Sequence, residues 1–175
     1  MSGEPMHRIV VVRHAKADPK QHTVHPDHER PLTDRGRQDA LLTGRWLAGP
    51  GPAVDRALVS TSVRTRQTWA LIAAELPQPP PAAFEECLYH TDPDTLLARL
   101  RRLPEDTATV ALVGHNPGIR DLALDLAGSA TGDLRTRLEE SGLRTAGVVV
   151  LSFPGPWTDL AHGTAHLDTA WSPRP

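Results

Sequence analysis

Residues 8–16 read "RIVVVRHAK", and the junction inside this stretch decides the fold. Ile9 to Val12 are four consecutive β-branched residues. Such a run marks a strand covered on both faces, as in a parallel sheet. Arg13 and His14 follow at once, although burying an unpaired guanidinium is costly. The two polar residues therefore belong where the strand leaves the core, and something there must want a cation and an imidazole.

Two further runs, Ala57–Ser60 and Val110–Val113, have the same character as Arg8–Val12, and Gly147–Phe153 reads as a fourth strand. A last strand, from about Thr164 to Ala170, is expected to return along one edge. Segments with helical spacing lie between them. Thr33 is placed to cap a helix in "PLTDRGRQDALLTGRWL", where Leu42 and Trp46 stand four residues apart. "SVRTRQTWALIAAEL" follows the second strand after a short turn. Asp92 and Pro93 open a helix carrying a Leu96, Leu100, Leu103 stripe. In "NPGIRDLALDLAG", Asn116 is the expected cap, Pro117 the first position and Gly128 the end. "PQPPPAA" reads as a stiff, extended connector. Alternating strands and helices argue for an α/β sandwich, and 175 residues fit one domain over 1–175.

A formal charge of −2 gives no reason to expect general affinity for nucleic acid or an anionic membrane. Of the 19 basic residues only Lys16 and Lys20 are lysine, and arginine forks hold carboxylate or phosphate with paired hydrogen bonds. The single Cys87 excludes an internal disulfide and suits a reducing compartment. "MSGEPMHRIV" lacks a secretory signal and no apolar run is long enough to span a bilayer, so a cytoplasmic protein is expected.

The ends of three strands share a chemistry. One ends in Arg13-His14, one in "STSVRTRQT" with Arg64 and Arg66, and one in "GHNPG" with His115. Ligands of open α/β sheets bind beyond the carboxyl ends of the strands, where helix N-termini also point. If the three strands are parallel, His14, Arg64 and His115 converge in a cationic crevice suited to phosphate.

With these residues the chain resembles the histidine phosphatase superfamily, and within it the SixA-type phosphohistidine phosphatases. "VVVRHAKAD" corresponds to the family's strand followed by Arg-His-Gly, with Ala15 in place of the glycine. "STSVRTRQT" matches its Ser-x-x-x-Arg-x-x-Gln-Thr element and selects Arg64, "RPLTDRG" spans Arg30 to Gly36, and "VALVGHNPGI" supplies His115. The resemblance implies a phosphoglycerate-mutase-like fold: a three-layer sandwich with a mostly parallel central sheet flanked by helices.

It also implies a mechanism. His14 attacks phosphorus to form a phosphohistidine, which water hydrolyses, while Arg13, Arg64 and His115 hold the phosphoryl oxygens. Repulsion from the two arginines should keep His14 neutral, and a backbone carbonyl should fix its tautomer. Other branches take a proton donor from the interval that holds Glu85 and Glu86; Glu86 is the candidate, though both also read as solvated loop carboxylates. Arg30 is placed either on the phosphate or in a rim salt bridge, and His90 either lines the pocket or serves its loop. His22, His25 and His28 imitate a metal site, but Pro26 breaks any single helix presenting all three, so a polar rim loop is preferred. No metal or other cofactor is implied. The expected substrate is a phosphorylated protein, such as a phosphohistidine domain. The alternatives are a small phosphoester and, further off, a non-catalytic phosphate-binding module.

Overall fold

The computed structural model describes residues 3–175. Seven strands form one sheet: β1 (Met6–Arg13), β2 (Arg56–Ser60), β3 (Ala82–Glu85), β4 (Thr109–Gly114), β5 (Ala127–Ala130), β6 (Val148–Pro154) and β7 (Ala165–Trp171). Five helices accompany them: α1 (Asp34–Ala48), α2 (Val63–Glu75), α3 (Pro93–Leu100), α4 (Gly118–Leu126) and α5 (Leu134–Ser141). The strand order is β3-β2-β4-β1-β6-β7-β5. β1 runs parallel to β4, and β2 parallel to β4 and β3. β6 is antiparallel to β1 and to β7, and β5 is parallel to β7, so β6 alone runs against the rest. The mostly parallel α/β sandwich is the observed architecture.

β1 is apolar on both faces because both faces are covered. Val10 and Val12 pack with Leu47 of α1 and Trp69 and Ile72 of α2. Ile9 and Val11 pack on the other side with Leu96, Leu100, Ile119 and Leu122 of α3 and α4. Each such side chain removed from water contributes about 1.5–3 kcal/mol before entropy is counted. β1, β2 and β4 point their carboxyl ends the same way, bringing Arg13, Ser60 and Gly114 to one edge of the sheet.

Several local expectations are corrected. The returning strand β7 is not an edge: β5 pairs outside it, and β3 forms the other border. β3 begins at the end of the stretch read as connector, and Ala82 and Ala83 carry too little apolar bulk to announce a strand. Gly128 does not end a helix. It lies in β5, where a Cβ would stand 2.0 Å from the carbonyl oxygen of Gly163, so the chains approach closely only because it is glycine. Asn116 is not the cap of α4, whose flanking residue is Pro117; its Nδ2 instead donates to the Leu143 carbonyl at 2.8 Å. Leu42 and Trp46 do not form the buried face of α1, which is Gly36, Asp39, Ala40, Thr43, Gly44 and Leu47. Trp46 stacks on Trp171 of β7. By contrast, Thr33 caps α1 through Gly36 N and Asp92 caps α3 through Thr95 N.

Candidate active site

The chain leaves β1 under tight control. His14 N donates to Gly114 O at 3.1 Å, tying the loop to the end of β4. Ala15 is fully buried, and its N–H donates to Thr68 Oγ1 of α2 at 2.9 Å. Gly36 lets the first turn of α1 press on this loop, because a Cβ there would lie 2.0 Å from the Lys16 carbonyl oxygen. The loop that carries His14 is thus held by three elements of the fold.

Its ring is also fixed. Nδ1 lies 2.7 Å from the Ala15 carbonyl, which can only accept, so Nδ1 carries the proton and Nε2 keeps a lone pair. The pKa of His14 falls to about 3, chiefly because burial disfavours the charged ring; Arg64, Arg13 and Arg30 add repulsion, against an opposing hydrogen bond to Ala15. Burial thus outranks the arginines that sequence alone had suggested as the cause.

His115 stands beside it, ring centroids 5.4 Å apart. Nη2 of Arg64 lies 3.3 Å from His115 Nδ1 and can only donate, so Nε2 bears the proton and donates to Ser60 Oγ at 2.8 Å. Burial first, then the neighbouring His14, Arg64 and His90, lowers the His115 pKa to about 2.

Arg64 is the second residue of α2 and is 1% exposed. Its Nη1 donates to the Asp27 carbonyl at 2.6 Å and its Nη2 to the Asp27 carboxylate at 3.1 Å. Arg13 donates through Nη1 to the Leu143 carbonyl at 3.1 Å. The buried Nε atoms of Arg13 and Arg64 have no partner among the described residues. Unpaired buried donors of this kind suit an incoming anion.

These side chains line a pocket of about 290 Å³, with Lys16, Arg30, His90, Asn116 and Thr145 in its wall. Four lining residues are cationic, and among the described residues that line it none is Asp or Glu. Residues from three strand ends, far apart in the chain, therefore meet around one basic cavity.

Known proteins place this geometry. Residues 9–90 match the model of the histidine phosphatase superfamily (branch 1). A protein of Mycobacterium leprae with no assigned function is 34% identical over 165 residues, covering 93% of this chain and all of the relative. The phosphohistidine phosphatase SixA of Escherichia coli K12 is 30% identical over 125 residues, 66% of this chain and 78% of that protein. The chain belongs to the histidine phosphatase superfamily, in its SixA-type branch. A solved structure provisionally named SixA, from Nakamurella multipartitia, superposes on this phosphatase with a TM-score of 0.82 and 32% identity, over 99% of this chain and all of that one.

Glu86, expected near the leaving group, is exposed and absent from the pocket wall. Glu85 turns away too, forming a two-point ion pair with Arg99 at 2.7 Å, which lowers its pKa. The carboxylate next to the pocket is Asp27, on the short turn Asp27–Glu29. Arg64, Arg30, Tyr89 and His90 all hydrogen-bond to it, at 3.1, 3.1, 2.5 and 2.7 Å. Burial alone would raise its pKa, but the bonds from Tyr89 and His90 and the Arg64 charge outweigh that and hold it far below the usual range. Arg30 both lines the pocket and pairs with Asp27, so its two expected placements coexist.

His22, His25 and His28 do not converge: the first two are exposed, and His28 bonds Thr61 Oγ1 at 2.8 Å. Among the described residues no group of three or more His, Cys, Asp or Glu side chains is placed to hold a metal ion. Nor is any described helix long and apolar enough to cross a membrane. Asp27 lies in the histidine-rich loop, next to Pro26, and no sequence signal singles it out.

Proposed function

We propose that this phosphatase removes a phosphoryl group from phosphohistidine in a protein, through a covalent intermediate on His14. The supporting observation is the state of that ring: Nδ1 is committed to Ala15 and Nε2 is unprotonated beside a cluster of guanidinium groups. Nε2 attacks phosphorus, the P–N or P–O bond of the substrate breaks, and the cationic phosphoimidazole releases neutral His14 when water attacks. No proton has to leave His14 in either step. Arg13 and Arg64 present their unpaired Nε groups and, as Asp27 yields Arg64, further N–H groups to the phosphoryl oxygens. The hydroxyl of Ser60 can donate or accept, so His115 can move its proton to Nδ1 and face the same oxygens. Donors fixed in advance are worth most where charge is rearranging.

The leaving group favours a P–N substrate. A pocket wall without Asp or Glu offers no carboxylic acid to protonate a basic alkoxide. A phosphoimidazole needs none, since it is activated by a proton on its own second nitrogen. Comparing kcat/KM for a phosphohistidine peptide with that for alkyl phosphates tests this. The peptide is expected to lead by at least about tenfold; a preference for the esters contradicts the assignment.

A further inference from the structure

His90 has a backbone φ of 45°, a left-handed conformation that non-glycine residues seldom take and that surrounding contacts must hold in place. Its Nε2 lies 2.7 Å from Asp27 Oδ2, so the proton on that nitrogen is given to the carboxylate. Nη2 of Arg64, at 3.4 Å, is itself a donor and cannot bond a protonated Nε2. Nδ1 is left as the nitrogen able to exchange a proton with a ligand. The ring stands 5.0 Å from the His115 ring and 4.3 Å from that of Tyr89, centroid to centroid. The charged and titratable groups facing it are therefore Asp27, Arg64, His115 and Tyr89.

Its location is as informative as its partner. His90, His115 and Asn116 line both the basic pocket and an adjoining cleft that runs past Asp92 and Asp121. A phosphoryl group seated at His14 leaves its substituent to lie in that cleft, against His90. The acidic far wall suits a neutral or cationic substituent, such as an imidazole, better than an anionic one.

We propose that His90, backed by Asp27, exchanges the proton with the leaving group, the task for which no carboxylic acid is present. This rests on the reading of His14 as nucleophile. In the first step the P–Nε2 bond to His14 forms and the bond to the leaving group breaks; protonated His90 gives its Nδ1 proton to a departing oxygen, whereas a departing imidazole already protonated on its second nitrogen leaves neutral and takes none. In the second, water attacks phosphorus and the P–N bond to His14 breaks; one water proton returns to the His90 that gave its own to an oxygen leaving group, and after a P–N substrate that proton stays on the released phosphate. The cycle restores both rings. Asp27 acts as a positioning residue: it accepts the Nε2 proton, orients the ring and stabilises its cationic form, as a carboxylate does for a catalytic histidine.

The test is the leaving-group dependence of the first step. A series of aryl phosphates from 4-nitrophenyl to phenyl is hydrolysed in single turnover by the wild type, by His90→Gln and by Asp27→Asn. Loss of a general acid weighs on the poor leaving group: His90→Gln should lower the phenyl phosphate rate about 10²-fold and the 4-nitrophenyl rate less than about fivefold. Asp27→Asn should show the same selectivity in weaker form. A uniform loss across the series, or none, overturns the proposal and leaves His90 a structural partner of Asp27. Labelling with radioactive phosphoramidate in the same preparations separates the two readings. Label on His14 in the wild type and in both variants shows the nucleophile and site intact, whereas no label on His14 in the wild type overturns the nucleophile itself.

Discussion

The floor of the pocket and its rim are built on different principles. The floor is the ends of β1, β2 and β4, with apolar strands behind it and side chains locked by neighbours on the fold: His14 by Ala15 O, Arg13 by Leu143 O, His115 by the Ser60 hydroxyl. The rim is the turn around Asp27 and the segment Glu85–His90, where the Asp27 carboxylate takes bonds from the Arg64, Arg30, Tyr89 and His90 side chains and its carbonyl takes a second from Arg64. Packing holds the floor, and charge holds the rim.

The largest expected effect breaks the floor chemically. Arg64→Gln removes a buried guanidinium beside both imidazoles and should lower kcat about 10²–10³-fold. A loss under about tenfold, measured in steady state, would show that the rim cations suffice. Breaking the support beneath comes next. Leu112 of β4 is 1% exposed, and Leu112→Ala should cost about 3 kcal/mol in chemical denaturation. A loss near zero would mean that the strand behind the site is not the close-packed core described.

Acid sharpens the contrast. The ordinary histidine pKa is about 6.5, and in the fold His14 stands at about 3. Between these values the unfolded chain binds a proton at this ring that the folded chain does not, so stability falls as pH falls. From pH 7 to pH 5 the wild type should lose about 2 kcal/mol more than His14→Gln. Equal losses would show that His14 is not held neutral by burial. The smallest effect is expected at the outer rim. Glu86→Gln, at an exposed residue outside the pocket wall, should leave kcat/KM within about twofold, and a large drop would return Glu86 to the chemistry.

The same division governs what could be read in advance. β1, β2, β4 and β6 are long β-branched or leucine-rich runs, and a residue that closes such a strand must emerge at its end; Arg13, His14 and His115 were legible for that reason. β3 and β5, "AAFE" and "AGSA", bury little and exist because a neighbouring strand offers them hydrogen bonds. α5 escaped notice likewise, since Leu138 is its single buried residue. Asp27 and His90 have no periodicity to reveal them: 63 residues separate them, and only the closed fold brings their side chains to 2.7 Å. Glu86 shows the converse error, a plausible residue type in the right interval whose side chain faces solvent.

The claim on which the account turns is that the phosphoryl group is carried by one imidazole at the end of β1. Brief exposure to a radioactive phosphoramidate, quenching in alkali and mapping of the labelled peptide test it directly. The expected result is acid-labile, alkali-stable label on His14 that turns over on chase and is absent from His14→Ala. Stoichiometric label persisting in that variant, or mapping to any other residue, would contradict it.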